Sequence, residues 1–315
     1  VSKLLSRNHV LALTLITLVF YLPFTSKGVS YDDLVFIAYA KRLTLNPARC
    51  VVDDYLFLGI EVKDMVVFES THPPLVPYVH KVVMFLFGEN LVMLHLVMYG
   101  FLLLATLALG ALIARYSRYS PLLALGLTLG PMFLPNATSL MTDTALFALW
   151  FGALLCWEHA LDLPANKFRP MFLLTAALAC GAYFTAYQGL GLLVLLPLVA
   201  LLRGRTAHGL LLVVLSLLPF LLWILLVWRN YDILPYFSPP RTEISIANEV
   251  HKGLVWANIS LKSRAVIYYL GAAAIFFVPW FLRGKQGALT FLAACGWGLA
   301  LAAYLFPDHG LWFTV

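Results

Sequence analysis

An all-α, polytopic membrane protein with about nine transmembrane helices is what this sequence predicts, on three observations. Apolar residues make up 62% of the chain and charged residues 11%, with a mean hydropathy of +0.88; soluble domains carry roughly a quarter charged residues. The apolar residues recur as helix-length segments, near the roughly 20 residues a bilayer span needs, and not as the ten-residue alternation of a barrel. The basic residues collect in short connections between those segments.

Length and Pro, Gly and charge punctuation place the spans at about 9–25, 91–114, 121–135, 140–157, 170–185, 187–202, 208–228, 265–282 and 287–306. The first follows Lys3 and Arg7 like the charged start of a signal peptide, but no small-residue cleavage site comes after it. It is read as a retained span. Alternate connections carry Lys3 and Arg7, Arg115 and Arg118, Lys167 and Arg169, Arg203 and Arg205, and Arg283 and Lys285. The positive-inside rule puts these, and the N-terminus, in the cytoplasm. Membrane topology thus accounts for the net charge of +6 without nucleic acid. On the other side lie two tight turns, at Pro135–Ser139 and Thr185–Gly189, and two long loops at about 26–90 and 229–264. Of the fifteen acids, all but Glu158 and Asp162 fall on or next to that outer side.

The loop at 26–90 is too long and too apolar for a linker. Its segments 31–43, 51–60 and 74–88 read as short amphipathic helices along the membrane surface, together an outward-facing cap on one membrane domain, 1–315. The four cysteines stand far apart and give neither a disulfide framework nor a cysteine metal site. The chain starts at Val1, without methionine, and stops at Val315 just beyond an apolar segment, as a piece of a longer protein would, with a further C-terminal part.

Three stretches carry ionisable groups at the membrane edge, where they are costly and mark functional sites by default. In Tyr31-Asp32-Asp33 the adjacent carboxylates follow the first span. They suit either chemistry or the first turn of a helix, whose dipole favours acids. In Glu69-Ser-Thr-His-Pro-Pro-Leu-Val-Pro-Tyr78 the prolines fix an extended approach to the next helix. His72 there suits a phosphate, a metal or a plain interface. In Pro135-Asn-Ala-Thr-Ser-Leu-Met-Thr-Asp-Thr144, Asp143 lies about one turn inside an apolar run, where a carboxylate calls for a polar cavity.

The order and spacing of these elements resemble the GT-C glycosyltransferases that use polyprenyl-phosphate sugars. The chain is most similar to the branch holding the protein O-mannosyltransferases and the aminoarabinose transferase of lipid A. Thr185-Ala-Tyr-Gln-Gly189 adds a fourth likeness, to the turn those proteins often write Thr-Lys-Tyr-x-Gly. The likeness covers roughly residues 9–205 and rests on the ordered set rather than on any one motif. It implies an outward-facing cavity in which a polyprenyl-phosphate sugar donor meets a hydroxyl of a lipid, glycan or protein acceptor. In the resemblance Asp32 is the general base, and Asp33 orients the acceptor or holds Asp32. Asp143, Tyr187 and Gln188 contact substrate, and His72 faces the leaving phosphate with help from Arg241, Lys252, Lys262 and Arg264. Those four also suit the anionic headgroups of membrane lipids. The fold implied is an integral protein of the bacterial inner membrane with its site facing the periplasm.

The chain departs from the family pattern at Ala186 and Val35, where relatives carry basic residues, and at Thr71, where some carry an acid associated with a divalent metal. Glu69 is two residues further away. No cofactor follows from the residues, and the resemblance leaves a divalent metal open. Two other classes stay in competition: a non-catalytic membrane scaffold or partner subunit, favoured by the missing basic residues, and a lipid or solute transporter. The second lacks the internal repeat such proteins often show.

Overall fold

The structure, a computed structural model, describes residues 5–43, 52–57, 60–66, 73–130 and 133–231. It is helical. In chain order the elements are α1 (Arg7–Tyr21), α2 (Tyr31–Arg42), β1 (Val52–Phe57), β2 (Ile60–Val66), α3 (Leu75–Phe87), α4 (Leu91–Tyr116), α5 (Ala124–Thr128), α6 (Leu134–Ala137), α7 (Thr142–Asp162), α8 (Ala165–Thr185), α9 (Leu192–Leu202) and α10 (Thr206–Tyr231). Short 3₁₀ turns at Leu22–Ser26, Pro121–Leu123 and Tyr187–Gly191 precede or extend them.

Among the described residues five helices are long and apolar enough to cross a membrane: Arg7–Ser26, Leu91–Tyr116, Thr142–Asp162, Phe168–Thr185 and Thr206–Asn230. The chain is therefore an integral membrane protein. The 26 residues of α4 reach ~39 Å at 1.5 Å per residue, more than the hydrocarbon thickness. Exposed leucines on α10, among them Leu210, Leu218 and Leu225, form the apolar exterior that lipid requires.

The ends follow local chemistry. Ser6 accepts the His9 N–H at the start of α1, and Asn90 accepts those of Val92 and Met93 at the start of α4. Gly88 ends α3 with φ at 67°, a left-handed turn that glycine adopts freely. In the bundle α7 packs between α4 and α8, α10 lies against α8 and α9, and α1 lies along α4. The helices α2 and α3 pack on each other through Phe36, Ile37, Val76 and Val83, and this cluster joins Leu94, Met98 and Ala145. The loop 26–90 thus contributes to the core of the bundle. Tyr21 seals α1 against Tyr99, and its hydroxyl donates to the Thr128 carbonyl.

Two expectations are corrected. The segment 51–60 is no surface helix: β1 and β2 form an antiparallel hairpin, with Tyr55 opposite Val62 and Phe57 opposite Ile60. Alternating β-branched and charged residues, Ile60-Glu-Val-Lys63, suit a pleated strand better than a helical face. The stretch 121–135 is no single span either, since it divides into a 3₁₀ turn, α5 and α6. Gly126 and Gly130 weaken a helix there, and Pro131 and Pro135 remove backbone donors. The expected span 187–202 is a shorter apolar helix opened by a 3₁₀ turn. The segments 265–282 and 287–306 lie outside the described residues.

At the end of the bundle where α4 and α7 finish, four charges meet. Glu158 Oε2 lies 3.2 Å from Arg115 Nη2 and 2.9 Å from Arg203 Nη2, and Asp162 Oδ2 lies 2.7 Å from Arg115 Nη2. These are the two acids expected on the cytoplasmic side, matched with two of the basic residues expected there. The Glu158 charge, close to Arg203, holds that guanidinium above its usual pKa.

Candidate functional site

Ser30 has extended backbone, and its hydroxyl accepts the Asp33 N–H at 3.3 Å; in return Asp33 Oδ2 accepts the Ser30 N–H at 2.7 Å. This is a capping box with aspartate in the position usually held by glutamate. Asp33 Oδ1 accepts the N–H of Leu140, 107 residues further on, at 2.6 Å. The residue is fully buried. With both oxygens on backbone donors, Asp33 ties the first turn of α2 to the turn that leads into α7. These backbone contacts are what the structure shows of Asp33, beside the expected part of orienting the acceptor or holding Asp32. Asp32 stands next to it in the same first turn, where the structure describes its backbone.

A second long-range contact lies beside the first. Lys27 Nζ donates to Thr138 Oγ1 at 3.1 Å and to the Thr138 carbonyl at 3.4 Å. Two histidines, His80 on α3 and His95 on α4, are fully buried nearby, and among the described residues none of their ring nitrogens has a hydrogen-bond partner. His95 lies within electrostatic reach of both Lys27 and Asp33. Burial pushes the His80 imidazole down to about 4; the Asp33 charge opposes this and His95 adds to it.

This depressed value makes stability depend on pH. The unfolded chain binds a proton at His80 near pH 6.5 and the folded chain only near 4, so the stabilisation is present above pH 6.5 and lost as pH falls toward 4. A shift of this size is about 3 kcal/mol. Thermal melts of the purified protein between pH 4 and 7 should show the loss, and a His80→Leu variant should flatten it. An unchanged slope in the variant would assign the pH dependence elsewhere.

Asp143 falls in the first turn of α7, half-buried and without an ion pair among the described residues. No side chain caps this helix, so an acid in its first turn complements the dipole as well as any chemistry. Tyr187 and Gln188 part company. The Tyr187 ring is buried edge-on against Phe220 with centroids 6.4 Å apart, whereas Gln188 is exposed. A Cβ at Gly189 would run into the Ala182 carbonyl, which gives the glycine of this turn a steric reason. Where α3 begins, an apolar cleft of about 380 Å³ opens between α3, α8 and α10, lined by Pro74, Leu75, Tyr78, Phe184, Leu222 and Trp223. His72, Arg241, Lys252, Lys262 and Arg264 lie outside the described residues. Among the described residues no three His, Cys, Asp or Glu side chains are grouped to hold a metal.

The structure thus brings the acidic pair to the start of α7, and it adds Lys27, His80 and His95, none of which a sequence motif marked. The one signal for His95 was an ionisable residue within an apolar span. Comparison of the chain with family models, curated proteins and solved structures found no match.

Proposed function

We propose that this chain is a membrane glycosyltransferase that moves a sugar from a polyprenyl-phosphate donor to a hydroxyl of a lipid, glycan or protein acceptor. The observation that carries the reading is the Asp33 Oδ1 to Leu140 N–H hydrogen bond at 2.6 Å. It joins two stretches of the ordered motif set, the acidic pair and the Thr142-Asp143 helix start. The apolar cleft beginning at Pro74, next to the His-Pro-Pro-Leu stretch, suits a prenyl chain.

On this reading the Asp32 carboxylate takes the acceptor hydroxyl proton. The acceptor oxygen attacks C1 of the sugar as the bond from C1 to the phosphate oxygen breaks, and that electron pair leaves with the polyprenyl phosphate. One displacement inverts the anomeric centre. Asp143 orients the acceptor; His72, Arg241 and Lys252 offset the charge of the leaving phosphate, the contribution that is usually largest. The site faces the periplasm across a bacterial inner membrane, with nine crossings, of which the one at 121–135 is broken into short helices, and a cytoplasmic N-terminus.

The test is turnover of the purified protein in lipid with a panel of radiolabelled polyprenyl-phosphate sugars and a membrane extract as acceptor. Label should pass from one donor into the acceptor fraction with an inverted linkage. A folded protein that neither transfers nor hydrolyses any donor would sink the enzyme and favour the scaffold.

A further inference from the structure

We propose that Lys27 is the anchor of an anion site at the end of the bundle where α2 and α7 begin, and that its ligand is a phosphate group. This rests on the glycosyltransferase reading for one point only, that the phosphate belongs to the donor. Two independent observations support the site. First, Lys27 sits directly after the first membrane-crossing segment, Arg7–Ser26, is partly buried, and among the described residues its Nζ donates only to neutral acceptors of Thr138. Among the described residues it has no ion pair. An ammonium withdrawn from water at a membrane edge is costly without a counter-charge. Second, the fully buried His95 ring lies within electrostatic reach of it, with neither nitrogen hydrogen-bonded among the described residues.

Among the described residues no acid is paired with this ammonium: Asp33 turns its oxygens to the N–H groups of Ser30 and Leu140, and Asp143 makes no ion pair. Thr138 and Leu140 belong to one turn, held by Lys27 on one residue and Asp33 on the other. Lys27 is therefore fixed within the same crossing that brings α2 to α7. An ammonium has three donors, and its Thr138 contacts at 3.1 and 3.4 Å leave at least one for a ligand oxygen. It supplies the positive charge that Ala186 and Val35 do not.

The experiment titrates the purified full chain in detergent with farnesyl phosphate, farnesol, inorganic phosphate and phosphatidylglycerol in separate arms, beside Lys27→Met and Lys27→Arg. Farnesyl phosphate should bind the wild type, and Lys27→Met should weaken it about 10–100-fold, the worth of one charge-assisted hydrogen bond. Lys27→Arg should stay close to wild type, and farnesol should not distinguish the variants. If Lys27→Met melts before it can be titrated, Lys27→Gln decides the same question. Equal farnesyl phosphate binding by wild type and Lys27→Met would remove Lys27 from the site and leave the transferase reading standing. Lys27-dependent binding of inorganic phosphate or phosphatidylglycerol as tight as that of farnesyl phosphate would keep the anion site and turn against a prenyl donor. Failure of every anion to bind would overturn the site itself.

Discussion

Asp32→Asn should lower the rate of sugar transfer about 10²–10⁴-fold, the usual worth of a general base. The change keeps the size of the side chain and removes its ability to take a proton, so donor binding should be nearly unaffected. Its backbone place in the first turn of α2 does not by itself decide between base and helix-stabilising acid. The variant does, because an acid that only stabilises the helix from its second position, past the Ser30 cap, is worth about 0.3–1 kcal/mol and no transfer rate. Transfer rate and melting temperature, read on the same preparation, separate the two. A variant that transfers at the wild-type rate would strip Asp32 of the role.

Glu158→Leu should cost about 3 kcal/mol of stability, near the low end of the loss expected when one partner of a buried ion pair is removed. Glu158 is 4% exposed, and the Arg115 side chain facing it is 12% exposed. The loss leaves Arg115 with Asp162 at 2.7 Å, which limits the damage, while Arg203 is 42% exposed and can turn to water. Adding Arg115→Met to Glu158→Leu should cost less than Arg115→Met costs alone, since the buried Glu158 is then no longer left without Arg115. Thermal unfolding of the three variants in detergent checks this. A double variant less stable than the single one by the full cost of Arg115→Met alone would mean that the two residues are not coupled.

Hydropathy and length made α4, α7, α8 and α10 legible in the sequence, because a bilayer imposes the same apolar length on each span. The same criterion misplaced 121–135, where the apolar count is high but glycine and proline interrupt the helix. In the first loop, α2 and α3 could be read from the acids at one start and the paired prolines at the other. The hairpin between them could not be read from apolar content, and its period-two alternation was the signal to weigh. The acidic pair was visible as a motif, yet the division of labour within it was not. Only the contact with Leu140 shows that Asp33 positions the turn. Lys27, His80 and His95 each stand alone in the sequence, on separate elements, and tertiary packing alone makes them neighbours.

The Asp33 to Leu140 hydrogen bond also sets a timetable for biogenesis. A ribosome adding about 5–20 residues per second needs roughly 5–20 s to make the 107 residues between donor and acceptor. Through that interval one carboxylate oxygen of Asp33 lacks its native donor, while α2 already has Val76, Val83, Leu94 and Met98 of its packing cluster. Docking of α2 can therefore begin before α7 is made, and the tie to the turn at Leu140 is the late step.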